Sequence, residues 1–342
     1  MNVLKNTPAF RDTIHAVLAD IPFPSDNANR PAAMLMRCPA AGETPLSASV
    51  DLADELGLAA VYLKDERDRM GLGSFKALGA AYVIACDAEQ GRAKGTSYFC
   101  ASAGNHGLSV AAGAQAFGAH AVIYLSKTVP EAFAVRLESF GAEVRRRGET
   151  YEQSMQAAAQ DADAEGAVLL SDSSWPGYLD RPHRLMEGYL VLMQEAVAQM
   201  TEVPTHIFLQ AGVGGLACAA ATYARKAWGT GPEIIVVEPE AAPALKASME
   251  AGQPLITAGP VSAMGRLDCK EPSLIALKGL ARDADMFMTI TEEEGQAGAD
   301  LAERFGLAST NSGAAGLAGL VAMAPHLDAD ARVLLVLSEG PE

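Results

Sequence analysis

The chain predicts an α/β fold built on a parallel sheet, and three observations carry that prediction. Nearly half of its 342 residues (49%) are hydrophobic, enough to fill two lobes or one large domain. From about residue 58 onward, short apolar runs alternate with Ala-rich helical patterns. The segments richest in Gly, Ser and Asn then fall where those apolar runs stop, and ligands of open α/β sheets collect at the carboxyl ends of strands.

The elements follow in order. Residues 60–63 form a strand that leads into a Gly-rich turn and a helical pattern opening near Lys76. A second strand at 97–100 runs into Ala101-Ser102-Ala103-Gly104-Asn105-His106-Gly107, with a small-residue helix at 108–117 behind it. Strands at 121–125, 143–145 and 168–170 alternate with helices at 130–140 and 150–164. A second series opens with a helix at 184–200 and a strand at 206–209. The turn 212–216, a helix at 217–227 and a strand at 234–237 come next. A last strand at 333–337 ends abruptly at Ser338-Glu339-Gly340. Residues 39–44 and 252–265 read as loops.

Charge and cysteine usage exclude several classes. A formal net charge of −16 argues against nucleic acid or an anionic membrane surface as partner. No run of about 18 apolar residues offers a membrane span, and residues 1–20 lack the apolar region of a signal peptide. Five scattered cysteines (Cys38, Cys86, Cys100, Cys218, Cys269) suit free thiols in a reducing compartment, so a cytoplasmic protein without a structural metal is expected.

Three segments carry chemistry. Lys76 lies in a mostly apolar stretch, Gly73-Ser74-Phe75-Lys76-Ala77-Leu78-Gly79. Scarce water disfavours an ammonium, leaving a neutral amine for Schiff-base formation; the plain alternative is a surface lysine. Gln210-Ala211-Gly212-Val213-Gly214-Gly215-Leu216 passes from strand to helix, where backbone N–H groups and the helix N-terminus cradle a phosphate. A dinucleotide site is the rival, with Glu238 about 20 residues further on, but the G-x-G-x-x-G spacing is missing. Ser102, Gly104 and Asn105 make a second anion-binding turn suited to a carboxylate, or an ordinary helix cap. A lysine, a phosphate cradle and a carboxylate cradle together suggest an amino acid joined to pyridoxal phosphate.

With these motifs in view, the chain from about residue 44 to 340 resembles the pyridoxal-phosphate enzymes related to the tryptophan synthase β subunit, particularly diaminopropionate ammonia-lyases and threonine/serine dehydratases. Lys64-Asp65-Glu66, Gly71-Leu72, Phe75-Lys76, Asp172-Ser173-Ser174-Trp175-Pro176-Gly177-Tyr178, Gln210-Ala211-Gly212-Val213-Gly214, Val237-Glu238-Pro239 and Ser338-Glu339-Gly340 match the ammonia-lyase pattern. Ala101-Ser102-Ala103-Gly104-Asn105-His106 is similar to the dehydratases instead. The resemblance implies two lobes of open twisted sheets flanked by helices, the fold type II of these enzymes. Residues 1–84 and 182–342 would form a large cofactor-binding domain and 85–181 a small mobile one, in a homodimer.

It also implies roles. Lys76 would hold the coenzyme as a Schiff base and remove the substrate Cα proton. Gly212, Val213, Gly214, Gly215 and Leu216 would bind its phosphate. Phe75 would pack on its ring, Asn105 would reach its 3′-oxygen, and Ser338 would face its pyridine nitrogen. A hydroxyl there leaves the ring a weaker electron sink than a carboxylate would, which favours quick loss of a β-substituent. Ser102, Ala103, Gly104 and Asn105 would clasp the substrate carboxylate, and Asp172 would contact a β-amino group or shuttle its proton.

The sequence departs from that pattern in two places. Ala103 stands where ammonia-lyases carry an aspartate, which puts handling of a D-substrate in doubt. Arg266 and Lys270 stand where those enzymes show neutral residues, so an acidic side chain such as that of 3-hydroxyaspartate could pair with them. The expected activity is α,β-elimination on a small β-substituted amino acid of the diaminopropionate type, giving a 2-oxo acid and ammonia. The alternatives are a threonine, serine or 3-hydroxyaspartate dehydratase, an amino-acid racemase, a catalytically silent coenzyme-binding protein, and a NAD-type dehydrogenase using Gly212–Gly215.

Overall fold

The computed structural model describes residues 2–341, and its strands fall into two sheets. They are β1 (Asn2–Lys5), β2 (Leu46–Ala48), β3 (Ala60–Asp65), β4 (Ser97–Ala101), β5 (His120–Leu125), β6 (Glu143–Arg146), β7 (Val168–Leu169), β8 (His206–Gln210), β9 (Glu233–Pro239), β10 (Met286–Ile290) and β11 (Arg332–Leu337). The large sheet has seven strands in the order β1-β10-β9-β8-β11-β3-β2. Its five inner strands run parallel, and β1 and β2 close the edges antiparallel. The small sheet is a parallel four-stranded β6-β5-β4-β7. All its strands come from residues 97–169.

Both faces of the large sheet are covered, so its strands read as continuous apolar runs rather than alternating ones. Ile207 and Leu209 of β8 bury into one hydrophobic cluster, and Phe208 buries into the cluster on the opposite face. Ile234 and Val236 of β9 likewise part from Ile235 and Val237. The small sheet is handled the same way: Tyr98 and Cys100 face the larger cluster, while Phe99 and Ala101 pack with Tyr124, Ala158 and Ala162.

The first expected strand and helix run fits closely, with boundaries shifted by a few residues. Lys76 sits in a short 3-10 turn, Phe75–Leu78, and the α-helix proper is Ala80–Glu89. Helix Asp180–Gln199 starts four residues before the expected 184, and Asn105 already opens its helix, Asn105–Ala116. The edge strands β1 and β2, the inner strand β10 and the helices between 244 and 323 carry no sequence expectation. β10 is the short, methionine-rich Met286-Phe287-Met288-Thr289-Ile290, and helix Ala315–Met323 is apolar on every side. Neither shows the periodicity that marks an element.

A buried charge network fixes the entry to the Lys76 turn. Lys64, Glu66 and Arg69 are fully buried and Glu195 nearly so, giving two cations and two anions. Arg69 binds Glu66 at 2.6 Å and Glu195 at 2.7 Å, while Lys64 binds Glu195 at 2.7 Å and the carbonyl of Thr44 at 2.7 Å. Burial works against the charge on Glu195, yet the Arg69 guanidinium holds its carboxyl below the usual range. The Lys64-Asp65-Glu66 motif is therefore a tether between β3 and helix Asp180–Gln199, not part of the reacting centre.

Candidate active site

The loops after β3, β4, β7, β8 and β11 converge at the carboxyl ends of their strands. The loop after β3 is laced to the segment after β11. The Phe75 N–H donates to the Ser338 carbonyl at 3.0 Å, Ser74 and Glu339 form a bridge, and the Gly340 N–H donates to Gly73 at 3.0 Å. Ser338 is thereby buried directly beside the Lys76 turn.

The Lys76 ammonium pairs with the Asp172 carboxylate. This reverses the expected electrostatics of the lysine. Burial opposes its charge most strongly, but Asp172 first, with Tyr189 and Cys269 behind it, together lift Lys76 above the ordinary lysine range. Burial raises Asp172 in turn, while Lys76 and then His106 bring it well below the usual carboxylate range. Asp172 is presented by a braced turn. The Ser171 N–H donates to the Tyr178 hydroxyl, which donates to the Leu169 carbonyl, both at 3.0 Å. Trp175 stacks on Tyr178 at 4.3 Å, and Ser174 bonds Ser273 at 2.7 Å.

The glycine turn after β8 has the shape of an anion cradle. Gly214 adopts φ +98°, a left-handed conformation that favours glycine, and caps helix Gly215–Trp228. A Cβ on Gly212 would stand 3.0 Å from the Cys269 sulfur and 3.1 Å from the Arg266 carbonyl, so a side chain here would push on both neighbours. Val213 accepts the Ser273 N–H at 3.0 Å, and Leu216 is buried at the helix start. Backbone N–H groups at a helix N-terminus, a lysine nearby and an aromatic face on Phe75 fit pyridoxal phosphate.

Glu238 does not serve as a ribose-binding acid, which removes the structural basis of the dinucleotide reading. Its buried carboxylate accepts the Leu245 and Lys246 N–H groups at 2.7 and 2.8 Å and caps helix Ala244–Ala251. Burial, against those two bonds, pushes it up to about 8. A carboxyl raised in the folded state stabilises most below its ordinary value of 4.5 and loses that stabilisation as pH climbs toward 8. Glu238→Gln cannot ionise, so its melting temperature relative to the parent should rise steadily between pH 5 and 8. A constant difference across that window would show that Glu238 is charged throughout.

The second cradle, after β4, is partly occupied by its own side chains. Ser102 Oγ accepts the Gly104 N–H at 3.2 Å, Ala103 is exposed, and Asn105 is buried. The Asn105 amide donates to Glu339, whose other oxygen accepts from Thr310. Arg266 lies against Gly104, where a Cβ would come 3.3 Å from its Cδ, and its Nε is 3.3 Å from Glu339. Arg266 thus reaches the site. Lys270 does not, being bound to Asp268 at 2.6 Å and to the carbonyls of Ala241 and Pro260. Burial pushes the Cys269 thiol up to about 12, so it stays protonated and is no nucleophile.

Glu339, Thr310 and Tyr189 line the candidate site through contacts with Asn105, Glu339 and Lys76, and none of them was assigned a role from the sequence. Glu339 stood inside a recognised motif without a role, and the spacing of Thr310 to any motif carries no signal. Tyr189 sits on the core face of a helix, where an aromatic reads as packing.

The arrangement is that of a fold type II coenzyme-dependent enzyme acting on amino acids. Residues 38–339 match the family described as "Pyridoxal-phosphate dependent enzyme", and the chain belongs to that family. It is similar to diaminopropionate ammonia-lyase of Salmonella typhimurium, 33% identical over 87% of this chain and 85% of that protein. It is also similar to L-threonine dehydratase of Mycobacterium tuberculosis, 27% identical over 88% of this chain and 68% of that one. The structure of Escherichia coli diaminopropionate ammonia-lyase in complex with an aminoacrylate–pyridoxal-phosphate azomethine intermediate superimposes with a TM-score of 0.85. That structure is 28% identical, over 99% of this chain and 93% of its own. The protein is a pyridoxal-phosphate-dependent lyase.

Proposed function

We propose that the chain eliminates the β-amino group of a small, diaminopropionate-like amino acid, giving a 2-oxo acid and ammonia. The observation that carries this reading is the Lys76–Asp172 pair, a base and an acid in direct contact at the strand ends. Bound coenzyme supplies the electron sink for loss of the Cα proton. Lys76 anchors the coenzyme and takes that proton at Nζ. Asp172, in contact with the same nitrogen, relays a proton to the departing amine, which leaves only when protonated. The N–H groups of residues 212–216 bind the phosphate, Phe75 flanks the ring, and Ser338 faces its nitrogen. Asn105 orients the ring oxygen, while Ser102, Ala103 and Gly104 hold the substrate carboxylate.

A second reading, a hydroxy-amino-acid dehydratase, is favoured by one observation: Arg266 lies against Gly104 of the carboxylate cradle, where it can meet a second acidic group. The panel that tests both comprises the two enantiomers of diaminopropionate, serine and threonine, together with the 3-hydroxyaspartates. Coloured enzyme should release 2-oxo acid fastest from a diaminopropionate enantiomer. Preference for 3-hydroxyaspartate would establish the second reading, and no 2-oxo acid from any member would sink both. We further propose that the enzyme is a cytoplasmic homodimer, in which residues 85–181 shift as a unit against 1–84 and 182–342. The free cysteines support a reducing compartment. The self-contained sheet of residues 97–169 supports the moving unit.

A further inference from the structure

Tyr189 stands between the two halves of the site. It is 1% exposed, on helix Asp180–Gln199, and its buried hydroxyl makes no well-formed hydrogen bond among the described residues, although Lys76 lies close enough to act on it. One edge of the ring faces the Lys76 turn: a Cβ on Gly79 would fall 2.6 Å from Cε1 and 2.9 Å from the hydroxyl oxygen. The other edge faces the phosphate cradle, where a Cβ on Gly215 would be 3.5 Å from Cε2. Lys76 Nζ lies 5.7 Å from the ring centre and 5.2 Å from that of Phe75, and the two rings meet edge-on at 4.9 Å. A glycine at 79 is therefore what admits a phenol beside the lysine.

Leaving a buried hydroxyl unpaired is costly, and phenylalanine would fill the same space without that cost. The retained hydroxyl points to a bond that forms fully only during the working cycle. Lys76 is the mobile polar group next to it. Asp172 holds Lys76 only in the charged form, yet the base of the elimination must be neutral.

We propose that Tyr189 is a positioning residue that donates its hydroxyl hydrogen to the lone pair of neutral Lys76. The step balances within the chain: one N–H bond of the ammonium breaks, the proton passes to an Asp172 oxygen, and the freed lone pair accepts the Tyr189 O–H. Lys76 thus has two stations, a carboxylate for its charged form and a phenol for its neutral form. This inference rests on the reading of Lys76 as base and anchor.

The test is Tyr189→Phe in the full chain, stripped of coenzyme and then mixed with free pyridoxal phosphate across a pH series. Attack on the aldehyde needs neutral Lys76, so the rate of growth of the visible band follows its deprotonation. Loss of the phenol should weaken the hold on the neutral amine about tenfold and move the rise of that rate upward by about one pH unit. The acid limb of the turnover profile in reloaded enzyme should move in the same direction. Final band amplitude should be unchanged, and the melting temperature equal to or above that of the parent. Coincident rate profiles would overturn the proposal. So would a melting temperature several degrees lower, which would make the hydroxyl a structural group. A Lys76→Ala protein that still binds coenzyme covalently would overturn the underlying reading instead.

Discussion

Lys76→Ala should abolish the visible absorbance of the purified enzyme and lower 2-oxo acid release by about 10⁴-fold or more. In the proposed function one nitrogen supplies both the covalent anchor and the base, so no other group would compensate for its loss. The variant also leaves the half-buried Asp172 without its cation, and the carboxyl should then rise from its depressed state. Absorbance spectra and a 2-oxo acid assay on the same preparation measure both effects. A coloured variant that keeps turning over would remove Lys76 from the centre of the chemistry.

Glu195→Ala should destabilise the protein by about 3–5 kcal/mol, the usual cost of stranding buried charge. The substitution leaves Arg69 and Lys64, both fully buried, with Glu66 as the only remaining anion of the network. Because the network anchors residues 64–69, coenzyme affinity should fall along with stability. Urea unfolding of parent and variant measures the first effect, and a midpoint that hardly moves would mean that water reaches the cluster. Replacing Lys64 and Glu195 together by Met and Leu should recover part of the loss, since it removes a cation and an anion at once.

Much of the fold was legible from apolar runs ending at polar or Gly-rich turns. Strands at 60–63, 97–100, 121–125, 206–209, 234–237 and 333–337 lie within their observed counterparts. The edge strands were not legible: β1 and β2 are short, half-exposed and lack the apolar alternation of inner strands. At the candidate site, residue types at strand ends pointed to the lysine and the glycine turn. What they could not announce is which side chains meet across loops far apart in sequence. Asp172 lies 96 positions from Lys76, and Glu339 lies 234 from Asn105. The sign of the electrostatics at Lys76 followed from that unseen contact, so a reading based on apolar surroundings alone came out reversed. Tyr189 was hidden for a related reason, since only the ring's proximity to Gly79 and Lys76 separates it from ordinary core packing.

The lacing of Ser74 and Phe75 to residues 338–339 bears on how the enzyme is made. Strand β3 lies between β2 and β11, and it is synthesised some 270 residues before its parallel neighbour. During translation, Lys76 therefore waits on an unfinished scaffold until the last inner strand leaves the ribosome. A chain stopped between residues 216 and 332 would carry every cradle glycine yet lack β11, and on the proposed function would fail to capture the coenzyme. The cell would not spend coenzyme on incomplete copies.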